Sequence, residues 1–408
     1  MTKLVLVVLI GLAWMAVNNA YAAPAKAGSF GDDLAFLKQH LDVVVLSDPA
    51  GQAQVAVIPA YQGRVMSSTA DGAGGTSFGW INRELISSGK TVPHINVFGG
   101  EDRFWMGPEG GQFAIFFDKG AKFDLEHWQT PAVIDTETYD VVSKSATEAV
   151  FRKQAKLSNW TGTAFDVQID RSIRLLDREA AAKNLGVAVP EQVKMVAFET
   201  DNQITNTGNA AWTKDTGLLS IWILGMFNPS PATTIVIPFK AGPESELGMK
   251  VNDAYFGKVP ADRLIVKDDV LYFSGDGTYR SKIGIPPLRA LPLAGSYDAA
   301  NQVLTLVQYT KPEGVTEYVN SMWELQEQPF AGDVVNSYND GPPEPGKKPM
   351  GPFYELETSS PAAALAPKGS IRHVHRTFHF QGEEAGLDAL AKALLKVGLE
   401  DIKGAFAK

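Results

Sequence analysis

The chain has 408 residues, a formal net charge of −9 at pH 7 and 20% charged residues, which gives ample material for a core. It lacks the basic stripe that nucleic acid or an anionic membrane surface would require, and both are excluded as partners. The absence of cysteine excludes disulfides, thiolate chemistry and a lipid anchor on an N-terminal Cys, and it suits an exported protein.

In chain order, residues 1–22 read as a cleavable signal peptide. Lys3 supplies the positive charge, residues 4–17 the apolar stretch, and Ala20-Tyr21-Ala22 the small-x-small site before Ala23. A periplasmic or secreted protein follows, with no membrane insertion after cleavage, because no second apolar run could span a bilayer. Residues 23–41 form an N-terminal helical segment. Its helix is predicted over 30–40, with Ser29 as N-cap and Asp32 and Asp33 in the first turn.

From Asp42 the pattern turns to strands, and residues 42–382 read as one β-domain. Residues 43–46 and 55–58 flank a Ser-Asp-Pro-Ala-Gly turn as a hairpin that 63–68 continues. Further strands are predicted over 113–117, 139–142, 149–157, 165–176, 194–206, 218–226, 233–238, 263–273, 302–309, 353–358 and 371–380. Only residues 178–183 interrupt them with a helical pattern. Leu387, Leu390, Leu394, Leu395 and Leu399 then restore helix within 383–408, as one helix or as two broken near Gly398. No fixed-period repeat is present, which weighs against a propeller. The fold class is all-β: a large antiparallel β-sandwich of long strands or extra layers, with short N-terminal and C-terminal helices. The 38 Gly, 24 Pro and 10% aromatic residues suit such a turn-rich fold, and they suit sugar binding.

Three segments carry candidate chemistry. Residues 94–111 (HINVFGGEDRFWMGPEGG) combine His94, Glu101, Arg103 and Trp105 with glycines and lack a core period. They read either as a ligand-approaching loop or as a tight hairpin whose Trp105 plugs the core. The second segment, residues 353–358, follows a loop over 336–348 and alternates as a strand. Glu355 and Glu357 therefore share one face roughly 7 Å apart, as a general base pair or as acceptors for sugar hydroxyls. The third, residues 372–380, puts His373, His375, Thr377 and His379 on one face, half of the six histidines of the chain. That face reads as a hydrogen-bonding wall, a general acid or a structural element. No carboxylate ligand is clearly placed beside it, so no metal is assigned. Phosphate-loop, nucleophile-elbow and HExxH patterns are all missing, and no cofactor is expected. A turn leading into a basic patch, residues 276–282, reads as a hairpin tip.

Ala60-Tyr61-Gln62-Gly63-Arg64-Val65, then Phe98-Gly99-Gly100 with Arg103 and Trp105, then Tyr354-Glu355-Leu356-Glu357-Thr358 form an ordered set. It resembles three landmarks of the galactose mutarotase-like (aldose 1-epimerase) superfamily, over about residues 43–380. The chain looks closest to an exported bacterial branch of unknown function. The resemblance implies a β-supersandwich with an open carbohydrate cleft. In that family a glutamate takes the proton of the anomeric hydroxyl and a histidine protonates the ring oxygen. By position Glu357 matches the base, Arg64 matches the sugar-orienting arginine, and Phe98 stands where the family's first histidine would be. The family's acid histidine follows a Thr-Asn-Thr-type segment. Here Thr205-Asn206-Thr207 leads to residues 218–228 (LLSIWILGMFN), which contain no histidine, and His94, His373 or His375 remain as substitutes.

The expected protein therefore binds a saccharide in a cleft lined by Arg64, His94, Glu101, Arg103, Trp105, Glu355 and His373. Glu357 and His375 are the expected catalytic pair. Two alternatives stay open: a non-catalytic carbohydrate-binding or scaffold module, and a polysaccharide lyase or hydrolase using the Glu and His strands. The leading reading requires Glu357 to project into a hollow that it shares with Trp105.

Overall fold

A computed structural model describes residues 28–344 and 346–406. The signal-peptide reading of residues 1–22 lies outside these residues. Among them the strands form antiparallel sheets of ten, five and three. The ten-stranded sheet is centred on Ser370–Gln381, paired on one side with Val303–Tyr309 and on the other with Lys194–Asn206. Its strands Ala164–Leu176 and Lys194–Asn206 run 13 residues each, so long strands accommodate this much chain. The five-stranded sheet runs in the order Ser281–Ile285, Val335–Asn339, Tyr354–Ser359, Ser220–Phe227, Arg103–Gly107.

The two large sheets face one another across apolar clusters that include Phe104, Ile223, Leu356 and Val307. The outer face of the ten-stranded sheet is covered in turn by the C-terminal helices Glu384–Leu395 and Leu399–Gly404. Their Leu387, Leu390 and Leu395 pack on Leu304, Leu306, Phe378 and Phe380. Gly398 caps the second helix at the break. The N-terminal helix Phe30–His40 closes the three-stranded sheet, burying Phe30 and Leu37 against Ala56, Ile58 and Met66. Ser29 Oγ accepts from Asp32 N at 3.2 Å, the capping bond its sequence calls for.

Several elements depart from the sequence expectation. Residues 113–117 form no strand. Their aromatic rings pack instead, Phe116 against Trp105 with centroids 5.4 Å apart. Residues 263–273 fold back as Leu264–Val266 and Val270–Ser274. Val335–Asn339, expected as loop, and Arg103–Gly107, read either as a ligand loop or as part of a tight hairpin, are strands buried on both faces, so no polar alternation marks them.

The interior seam between the large sheets is polar at two places. Arg171 and Asp102, both with fully buried side chains, form an ion pair at 2.5 Å. Arg171 also donates to Asn202 Oδ1 and to the carbonyl of Gly63, and Thr200 Oγ1 donates to Asp102 Oδ2 at 2.9 Å. The histidine face is the second place. His373, His375, Thr377 and His379 share a face as predicted, and that face points into the sandwich with none of their surface exposed. Thr358 Oγ1 lies 2.9 Å from both His373 Nε2 and His375 Nδ1.

Removing one member of either assembly strands buried polar groups. Arg171→Met is expected to lower the unfolding free energy by about 3–5 kcal/mol, read by urea titration, because the Asp102 charge stays buried. Thr358→Val is expected to cost about 1–3 kcal/mol while leaving any activity of the protein unchanged.

Candidate functional site

Strand parity builds the site. Along Tyr354–Ser359 the side chains of Tyr354, Leu356 and Thr358 enter the sandwich, and those of Glu355, Glu357 and Ser359 point the other way. The neighbouring strands follow the same rule, so Arg103, Trp105, Ser220, Trp222, Asn336, Tyr338 and Lys282 emerge on that outer face. Loops around Pro93–Ile95, Tyr255–Phe256 and Val319–Glu324 wall it into a cleft of about 780 Å³. The predicted 336–348 loop contributes twice. Its first residues form the strand Val335–Asn339, and Gly341, Pro343 and Lys348 border the mouth.

Glu109, Glu355 and Lys282 line the cleft together with Asp333, Asp340 and Glu324, and Glu357 is buried beneath Lys282. Lys282 Nζ lies 3.0 Å from Glu357 Oε2 and about 5 Å above the indole ring of Trp222 (4.9 Å to its centroid). Burial opposes the Lys282 charge, but Glu357, Glu109 and Glu355 outweigh it and hold the ammonium above the usual lysine range. Trp222 Nε1 donates to the same Glu357 oxygen at 3.0 Å. Glu355 forms an ion pair with Arg103. Burial pushes its carboxyl up to about 8, Arg103 opposing and Glu357 adding to the rise.

Glu109 follows the strand Arg103–Gly107 and is half-buried. Its Oε1 accepts from Trp323 Nε1 at 3.2 Å, and burial raises its carboxyl to about 7 against the pull of Lys282. The glycines after it are required by close approach. A Cβ on Gly110 would fall 2.4 Å from the carbonyl oxygen of Met322, on the loop that carries Trp323.

Four polar atoms on this face have no protein partner among the described residues: Glu357 Oε1, Arg103 Nε, Trp105 Nε1 and Ser220 Oγ. These atoms are themselves buried behind the cleft wall, which Arg103, Trp105 and Ser220 line beside indoles packed edge to face (Trp105 on Trp222, 5.5 Å).

Of the residues expected in one cleft, Arg103, Trp105, Glu355 and His94 line it, and Glu357 lies just beneath its surface. Glu357 lies beneath Lys282 and Trp222 with no surface exposed, on the same strand face as Trp105 is on its own. His94 stands on the rim, its Nδ1 held 2.6 Å from the Trp128 carbonyl, so the ring presents Nε2 outward from that bond.

Arg64, Glu101, His373 and His375 correct the expectation. His373 and His375 lie behind the strand, bonded to Thr358 rather than facing Glu357. Burial keeps both imidazoles neutral, at about 3 for His373 and about 4 for His375. Glu101 points into the sandwich, with its Oε2 2.6 Å from His379 Nε2. Arg64 is buried, donating to Gly99 O and Gln62 Oε1, with its guanidinium 5.9 Å from the Phe98 ring centre. The Gly63-Arg64 and Phe98-Gly99-Gly100 landmarks thus meet each other, not the cleft. A Cβ on Gly99, at φ +95°, would lie 2.1 Å from the Trp80 carbonyl.

Sequence reasoning missed Glu109, Trp222, Lys282 and Trp323 as site residues. Glu109 lay inside the singled-out 94–111 segment and Lys282 at the end of the basic hairpin tip. Trp222 lay inside residues 218–228, singled out as the counterpart of the family's acid-histidine segment, and Trp323 carried no signal beyond being a tryptophan.

The architecture has known counterparts. The crystal structure of the Slr1438 protein from Synechocystis sp. PCC 6803 is similar at TM-score 0.50 and 14% identity, covering 84% of this chain and 96% of that one. A galactose mutarotase-like protein from Lactobacillus casei gives TM-score 0.47 at 9% identity, covering 83% and 100%. A galactose mutarotase related enzyme from Lactobacillus acidophilus gives 0.43 at 9%, covering 83% and 97%. The two Lactobacillus proteins are named as galactose mutarotase-like or related, and at these identities the likeness is one of fold. No curated protein matches the chain. The sequence matches the family of unknown function DUF6786 over residues 28–406, and the chain belongs to that family.

Proposed function

We propose that the protein is carbohydrate-active: it binds a saccharide in the cleft and carries out acid–base chemistry at a sugar carbon, with Glu357 as the base. The observation that carries this reading is the set of polar side chains, Arg103, Glu109, Ser220, Lys282 and Glu355, that line one cleft beside Trp105 and Trp222. A sugar offers both donors and acceptors to such a set, and its apolar faces match indole surfaces.

Glu357 is suited to the base role by its asymmetry. Oε2 is fixed by an ammonium and an indole N–H, while Oε1 is engaged by no described protein group. Once the covering side chains shift to uncover it, such an oxygen can take the proton of an anomeric hydroxyl without breaking a protein hydrogen bond of its own. The likeness of the fold to galactose mutarotase-like proteins agrees with aldose ring opening and reclosure.

Export of the protein belongs to the same proposal, with residues 1–22 removed before the protein acts. Mass spectrometry of the mature protein is expected to find Ala23 at the N-terminus.

Glu357→Gln is expected to slow anomer exchange of a bound aldose by about 10²- to 10⁴-fold while saccharide binding persists. Polarimetry reads the first quantity and saturation-transfer NMR the second. A wild-type protein that binds saccharides with no turnover would make the cleft a binding module. New reducing ends from a polysaccharide would make it a hydrolase.

A further inference from the structure

Glu109 lines the cleft and is held as Glu357 is held beneath it. In Glu357 one oxygen is held by the Trp222 indole, and in Glu109 one is held by the Trp323 indole. Among the described residues, neither remaining oxygen accepts a protein hydrogen bond. Lys282 stands between the two in electrostatic terms, bonded to Glu357 and acting on Glu109.

Of the other cleft acids, Asp333 accepts from Asn252 and Tyr255, Asp340 accepts from Tyr338 and Gly351 N, and Glu324 is exposed on the rim. Glu355 is paired with Arg103. His373 and His375 lie on the far side of the strand Tyr354–Ser359. His94 sits on the rim with its ring tied to the Trp128 backbone.

We propose that Glu109 is the proton donor of this cleft, delivering its proton to the ring oxygen of the saccharide whose anomeric hydroxyl Glu357 deprotonates. This rests on the reading of the cleft as an acid–base saccharide site.

The step balances within the pair. The Glu357 carboxylate takes the anomeric O–H proton, the C1–O5 bond breaks as C1=O forms, and its electron pair stays on O5. O5 takes the Glu109 proton. On reclosure at the other face of C1, the O5 proton returns to Glu109 and Glu357 gives its proton back to the anomeric oxygen, so no further reactant is needed.

The charges facing Glu109 are Lys282, Arg280 and Glu357, with the Trp323 N–H as its hydrogen-bond donor. Burial outweighs the cations and leaves Glu109 titrating near 7, so the acid form is lost as pH rises through neutrality.

The experiment measures anomer exchange of D-galactose and D-glucose from pH 5 to 9, with binding followed by saturation-transfer NMR. Wild-type exchange is expected to fall above about pH 7. Glu109→Gln is isosteric and retains an acceptor for Trp323. It is expected to bind sugar normally, lose exchange by about 10²- to 10⁴-fold and lose the alkaline limb.

Trp323→Phe gives an independent check. It removes an N–H that favours the charged form, so the limb should move to higher pH. A Glu109→Gln protein with undiminished exchange and an unchanged limb would overturn Glu109 as donor while leaving the saccharide reading intact. So would loss of exchange in His94→Gln alone. A wild-type protein with neither binding nor exchange would overturn both.

Discussion

The buried ion pair between Asp102 and Arg171 sets the geometry on which the cleft depends. Arg171 belongs to the ten-stranded sheet, Asp102 immediately precedes the edge strand of the five-stranded sheet, and Gly63, which accepts from Arg171, precedes the first residue of the strand Arg64–Thr69. One guanidinium therefore ties three sheets together. Desolvating such a pair costs nearly as much as its attraction returns, so it contributes more to register than to stability. Its consequence is directional. With Asp102 fixed inward, Arg103 must point outward, and Trp105 follows it two residues later.

The same parity separates two chemistries that lie one residue apart. Thr358 enters the sandwich and joins two neutral imidazoles, whereas Glu357 points to the cleft side and is buried there against an ammonium. A one-residue slip of this strand would bury the glutamates among histidines and expose the threonine. The apolar contacts of Tyr354 and Leu356 in the sandwich make that slip costly. The site is thus held by a core that does not touch it.

Within the cleft, charge is concentrated rather than dispersed. Lys282 is shared electrostatically by three carboxylates, and each of those has a different second anchor: Trp222 for Glu357, Trp323 for Glu109, Arg103 for Glu355. Burial and mutual repulsion push Glu109 and Glu355 upward, while Lys282 stays an ammonium. Groups with divergent protonation in one solvent-shielded hollow are the raw material of proton transfer.

The sequence by itself determined the elements whose residues announce their own environment. The Ser29-capped helix and the strand Lys194–Asn206 were legible with correct ends, and so was the two-faced character of Tyr354–Ser359 and Ser370–Gln381. Capping, turn chemistry and a period of two are local, and each shows within a few residues. Strands such as Arg103–Gly107 were not legible, because burial on both faces erases the alternation. The partners of each face were decided only by tertiary structure. Nothing within 372–380 says that its histidines meet Thr358 and not Glu357, and nothing near Lys282 says that it lies over a tryptophan 60 residues back. Which face meets which is fixed by pairing between strands far apart in the chain, and that information resides in no local window.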